Sequence, residues 1–94
     1  MIIAVDFDNT ISVKNKPNKQ LIEYLINRQQ MGDILILNTC RKGKRLTEAV
    51  QFCSKYGLSF NAVNDNIPAV VIMLGYNPRK IYADLYIDDK AVKP

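Results

Sequence analysis

Short apolar runs that each close on a polar cluster constrain this chain more than any other feature. Ile2 to Phe7 reads as a continuous apolar strand ending in acids, Asp6 and Asp8. Ile34–Leu37 is a second buried strand that closes on Asn38-Thr39-Cys40, and Ala83–Ile87 is the last, ending on Asp88-Asp89. Strands without polar alternation must be covered on both faces, as happens in parallel sheets flanked by helices. Phe60–Val63 is a shorter strand between them.

The intervening segments have helical spacing. Asn18 is placed to cap a helix over Lys19–Met31, with Leu21, Ile22, Leu25 and Ile26 on one face and Gly32 as its stop. A second helix is expected over about Arg45–Tyr56, with Leu46, Ala49, Val50 and Cys53 inward and Gly57 as its stop. Ala69–Leu74 is apolar but too short to assign between a strand and a buried helical turn. Strand–helix alternation predicts a small three-layer, Rossmann-like α/β domain with about four parallel strands, spanning residues 1–94 as a single unit. Such sheets bind ligands beyond the carboxyl ends of their strands. Asp6-Phe7-Asp8, Thr39-Cys40-Arg41 and Asp88-Asp89 all fall at that edge.

Composition narrows the chemistry available there. Ninety-four residues bury roughly two-thirds of their unfolded surface, which makes a core but leaves no room for a second domain. The chain has no His, so imidazole catalysis and His-ligated metals are excluded. Two Cys make neither a disulfide framework nor a four-cysteine zinc site. The Cys40–Arg45 spacing is one residue short of a cysteine-phosphatase loop, and no GxxxxGK[ST] or GxGxxG occurs. Carboxylates, hydroxyls, lysines and arginines remain. The apolar run after Met1 is too short for a signal peptide or a membrane span, so a cytoplasmic protein without membrane contact is expected. A net charge of +4 favours anionic ligands and supports nucleic acid only weakly.

Asp6-Phe7-Asp8-Asn9-Thr10 places two carboxylates one residue apart where the chain leaves the sheet. Alternation points both side chains the same general way, so that one can attack while the other handles protons. With this motif in place, the sequence resembles the haloacid dehalogenase superfamily of phosphohydrolases. The first family motif matches Asp6 to Thr10, with Asn9 in the position of a small residue. The second matches Thr39, the third Lys80 (with Arg79 as runner-up), and the fourth Asp88-Asp89 after Leu85-Tyr86-Ile87. The matches cover nearly the whole chain in order, on the expected strand ends.

The resemblance implies a phosphomonoester hydrolase working through an aspartyl phosphate, with Asp6 as nucleophile and Asp8 as acid and base. It implies Mg²⁺ held among Asp6, Asp8, Asp88 and Asp89, with Asp88 the direct motif-four ligand. Thr39 and Lys80, with Cys40 and Arg41 nearby, would hold the phosphoryl group of a phosphorylated substrate. Read as a loop, Arg41–Arg45 carries four cations that would rim this site, with Lys14, Lys16 and Lys19 bordering it. Neither loop has room for a cap domain, so bulky or polyanionic phosphates such as nucleotides or nucleic-acid ends are admissible substrates. Larger members add a strand after the motif-four acids, where this sequence has five residues. Open sheet edges point to a homo-oligomer. The competing readings are a non-catalytic phosphate- or metal-binding domain, a regulatory partner protein, and a phosphoacceptor domain. The last would want its acceptor on a middle strand.

Overall fold

The computed structural model describes residues 1–89 and 92–93. In chain order its elements are β1 (Ile2–Val5), β2 (Ser12–Val13), β3 (Lys16–Pro17), α1 (Lys19–Gln30), β4 (Ile34–Leu37), α2 (Gly43–Lys55), β5 (Ala62–Val63), α3 (Pro68–Leu74), β6 (Leu85–Ile87) and β7 (Val92–Lys93). The main sheet has the order β5-β4-β1-β6-β7. Its first four strands run parallel, and β7 adds antiparallel to the outer edge of β6. The sheet is therefore the four-stranded parallel one expected from the sequence, extended by one short strand beyond Asp89. β2 and β3 form a separate hairpin between the first motif and α1.

Each central strand is apolar on both faces because each face has its own cover. On one side Ile3, Val5, Leu35, Leu37 and Ile87 pack against Ile22 and Leu25 of α1 and Ala49 and Cys53 of α2. On the other, Ala4 and Ile36 meet Ile67, Val70 of α3 and Ile81. This is the three-layer α/β arrangement that alternating strands and amphipathic helices dictate. Ala69–Leu74, open between strand and helix in the sequence, lies within α3. Pro68 sits in the first turn, and Gly75 ends the helix in a left-handed conformation at φ +80°.

Several boundaries differ from the sequence expectation. β1 ends at Val5, and β5 and β6 begin at Ala62 and Leu85, where the register of paired residues stops and only single backbone hydrogen bonds continue. α1 starts where expected: Asn18 caps it, its side-chain oxygen accepting from the Leu21 N–H. α2 begins at Gly43, two residues early, so Gly43, Lys44 and Arg45 form its first turn. The basic segment is thus divided: Arg41 and the N-cap Lys42 remain in the loop, and Lys44 and Arg45 belong to the helix. Asp84 lies at the sheet end remote from Asp6, as its place in the sequence suggests. Its carboxylate accepts from the Ile2 N–H at 2.7 Å, and its own N–H donates to the Ile2 carbonyl at 2.8 Å.

Candidate active site

β1 leaves the sheet between β4 and β6, where the chain's crossovers diverge to opposite faces. The Asp6 N–H donates to the Ile87 carbonyl at 2.9 Å, which extends the β1–β6 ladder and fixes Asp6 beside the Asp88-Asp89 end of β6. The next N–H, of Phe7, donates to Asp6 Oδ1 at 2.8 Å. A tight turn follows, in which the Phe7 carbonyl accepts the N–H groups of Ile11 and Ser12, both at 3.0 Å. Asn9 holds φ +60° there. Asn tolerates this left-handed conformation better than other side-chain-bearing residues, which explains how it stands where the family pattern has a small residue. Thr10 is only 5% exposed, and its hydroxyl has no hydrogen-bond partner among the described residues.

Electrostatics separate the two motif carboxylates. Burial, the largest cause, raises the pKa of Asp6 above its ordinary value, and repulsion from Asp8, Asp89 and Asp88 adds to it, against the lowering effect of the Phe7 N–H. Asp8 shifts the other way. Arg41 grips it with both arms of its guanidinium, Nε to Oδ2 at 2.9 Å and Nη2 to Oδ1 at 2.8 Å. These hydrogen bonds hold the Asp8 pKa below the ordinary carboxylate value, with the charges of Arg41 and Arg45 contributing in the same direction. The pair raises the Arg41 pKa in turn. Arg41 also lies over the Phe7 ring, 4.7 Å from its centroid, and donates from Nη1 to the Arg45 carbonyl at 3.2 Å.

The remaining candidate residues divide by position. Thr39 stands just past β4, with its N–H donating to Asn64 Oδ1 at 2.8 Å and its Oγ1 accepting the Arg41 N–H at 3.2 Å. The hydroxyl proton stays available to a ligand oxygen while the oxygen closes the turn. Cys40 is exposed beside it. Asp88 and Asp89 are near enough to Asp6 to act on its charge. Lys80 is exposed and lines a shallow cleft with Leu74, Pro78, Ile81, Tyr82 and Tyr86, on the α3 side of the sheet.

The four proposed metal residues do not converge as a set: among the described residues, no group of three or more carboxylates or thiols is arranged to hold a metal ion. Asp8 turns toward Arg41, which removes one carboxylate from such a group. Sequence reasoning placed Arg41 at the site but missed its bond to Asp8. Thirty-three residues separate the two, and only the pairing of β1 with β4 brings them together.

No protein-family model and no curated protein matches the chain. Among solved structures, that of a conserved protein from Bacteroides thetaiotaomicron superposes with a TM-score of 0.83 at 38% sequence identity, covering 97% of this chain and 77% of the other. No helix among the described residues is long and apolar enough to cross a membrane.

Proposed function

This chain belongs to the same family as the conserved Bacteroides thetaiotaomicron protein, and for it we propose phosphomonoester hydrolysis of the haloacid dehalogenase type, with Asp6 as nucleophile. One observation carries the reading. A partly buried carboxylate stands at the carboxyl end of the central strand, flanked by a second carboxylate, an acidic pair on the next strand and a hydroxyl–guanidinium pair on the other.

In this reading the Asp6 carboxylate attacks phosphorus, forming an aspartyl phosphate, while the ester oxygen departs with a proton from Asp8. Asp8, then ionised, takes a proton from the water that cleaves the acyl phosphate and restores Asp6. Arg41 sets a condition on the first step. While it grips Asp8, the carboxylate stays ionised and cannot donate. A phosphate dianion offers Arg41 an equivalent bidentate partner, so substrate entry releases Asp8 to take up a proton. Thr39 donates its hydroxyl to a phosphoryl oxygen.

The donor chemistry of the motif residues suits Mg²⁺: Asp6, Asp8, Asp88 and Asp89 offer oxygen ligands, and burial together with repulsion among these carboxylates raises Asp6. Asp6, Asp88 and the Asp8 main-chain carbonyl would hold it, with Asp89 beside them. Bound there, it supplies positive charge to the phosphoryl oxygens and keeps Asp6 ionised.

Hydrolysis of an aryl phosphate with and without Mg²⁺ tests the proposal. Asp6→Asn is expected to lose at least about a thousandfold in kcat, and Asp8→Asn about 10²–10⁴-fold. Wild-type turnover by Asp6→Asn rules the mechanism out. The Arg41–Asp8 pair favours a second reading, a phosphate-binding domain without turnover; phosphate binding by a hydrolytically silent wild type identifies that case.

A further inference from the structure

We infer that Asn64 is a positioning residue for Thr39, fixing the place from which the Thr39 hydroxyl meets a bound phosphoryl group; the inference rests on the assignment of Thr39 to that group. Asn64 follows β5 directly and holds φ +52°, a left-handed conformation that Asn adopts more readily than most residues with a side chain. Its N–H donates to the Leu37 carbonyl at 2.8 Å, so the residue stays on the sheet while the main chain turns away toward α3. Its side chain reaches past the end of β4, where Oδ1 accepts the Thr39 N–H at 2.8 Å.

The shortness of β5 explains the arrangement. That strand pairs with β4 only over Ala62 and Val63, and an asparagine side chain continues the pairing at each end. Asn61 donates its N–H to the Leu35 carbonyl at 2.8 Å and accepts the Leu35 N–H on Oδ1 at 3.0 Å. The two asparagines do the same work at opposite ends of the strand. Asn61 holds a core residue near the start of β4, and Asn64 holds the first candidate site residue beyond its end. Glycine would make the same left-handed turn without an acceptor, so the carboxamide of Asn64 is what serves Thr39.

Two hydrogen bonds locate Thr39. Asn64 holds its N–H, and its Oγ1 accepts the Arg41 N–H at 3.2 Å. Neither involves the Arg41 guanidinium, so both persist when that group exchanges Asp8 for a phosphate. With Oγ1 bound in this way, the hydroxyl proton is free to turn toward a ligand oxygen, and the position of the donor is set by the Thr39 backbone. A donor fixed in advance stabilises developing charge without reorganisation, whereas a displaced one loses most of that effect. Asn64 therefore acts through Thr39.

The test measures inorganic phosphate binding by calorimetry in Mg²⁺ buffer alongside turnover of an aryl phosphate. Asn64→Gly keeps the left-handed backbone and removes the acceptor. It should weaken phosphate binding about threefold to tenfold and lower kcat about tenfold, a part of the loss expected from Thr39→Val, which removes the donor outright. Added to Thr39→Val, it should change neither quantity further. Asn64→Asp keeps both the acceptor and the turn; it should hold kcat near the wild-type value while its charge raises KM. Asn61→Ala should lower stability in urea and leave phosphate affinity and kcat unchanged. Full affinity and kcat in Asn64→Gly, or losses that add to those of Thr39→Val, overturn the inference. Asn64 is exposed; should Asn64→Gly nevertheless fail to fold, a kcat loss in Asn64→Asp as large as that in Thr39→Val overturns it. Phosphate binding that weakens with Asn64→Gly in a protein without turnover leaves the inference standing and removes the hydrolysis reading. Turnover indifferent to Asn64→Gly does the reverse, and a wild type that neither binds phosphate nor turns over overturns both.

Discussion

Asp6 and Asp8 share a motif yet respond to pH in opposite senses, because one is buried among like charges and the other is held by a cation. A carboxylate whose folded pKa lies above its unfolded value favours the fold only at low pH, and that contribution is lost as pH rises through the folded pKa. Asp6 is such a group, so at neutral pH its charge opposes folding. Asp8 is the converse: its contribution is present above the ordinary value of 3.8 and is lost as pH falls through its lower folded pKa. Urea denaturation in chelator, so that no divalent cation contributes, should find Asp6→Asn more stable than wild type at pH 7 and Asp8→Asn less stable. Both differences should fade as pH drops through 3.8 and below. Equal stabilities at pH 7 would contradict this account. The acid pair was legible in the sequence from its spacing and strand-end position. The opposite tuning was not, because it depends on Arg41 and on burial, both products of the fold.

At the scale of elements, the irregular stretch between α3 and β6 is held by side-chain hydrogen bonds that no sequence pattern marked, with those of Asn66 the most numerous. Asn66 is 4% exposed. Its Nδ2 is within hydrogen-bond reach of Asn77 Oδ1 and the carbonyls of Pro78 and Lys80, at 3.1, 3.2 and 3.2 Å. Its Oδ1 accepts the Tyr82 N–H at 2.7 Å. These bonds seat Ile81 against the sheet, where it completes the apolar cover around Val70. Asn66→Ala removes four hydrogen bonds to partly buried groups and should cost about 1–3 kcal/mol in urea denaturation. A loss below about 0.5 kcal/mol would show that water replaces the side chain. The assignment of the third-motif cation belongs to this same stretch. Lys80 satisfies the sequence pattern, yet the Asn66 bonds tie the backbone around it to the α3 side of the sheet.

Across the whole molecule the two faces of the sheet are unequally covered. α1 and α2 bury one face under twelve-residue and thirteen-residue helices, while the other has only the seven-residue α3. α3 buries Val70 and leaves Ile72 and Met73 at 81% and 65% exposure. Side chains that exposed contribute little to the core. Lysine at both positions should therefore change stability by no more than about 0.5 kcal/mol per site while raising solubility. A larger loss in denaturation would mean that the outer surface of α3 is packed in solution.

The sequence by itself determined the architecture and where the candidate site residues fall on it. Apolar strands admit only a two-sided cover, helical spacing and caps set α1 and most of α2, and motif residues at strand ends must share one edge of a parallel sheet. Each of those conclusions comes from periodicity or from order along the chain. Tertiary structure decided which charges meet. The parallel pairing of β1 with β4 brings Arg41 onto Asp8, and the packing of α2 on the sheet sets Phe52 edge to face against Phe7. Contacts between residues tens of positions apart leave no local periodicity, because their energy depends on distances that exist only once the sheet has formed.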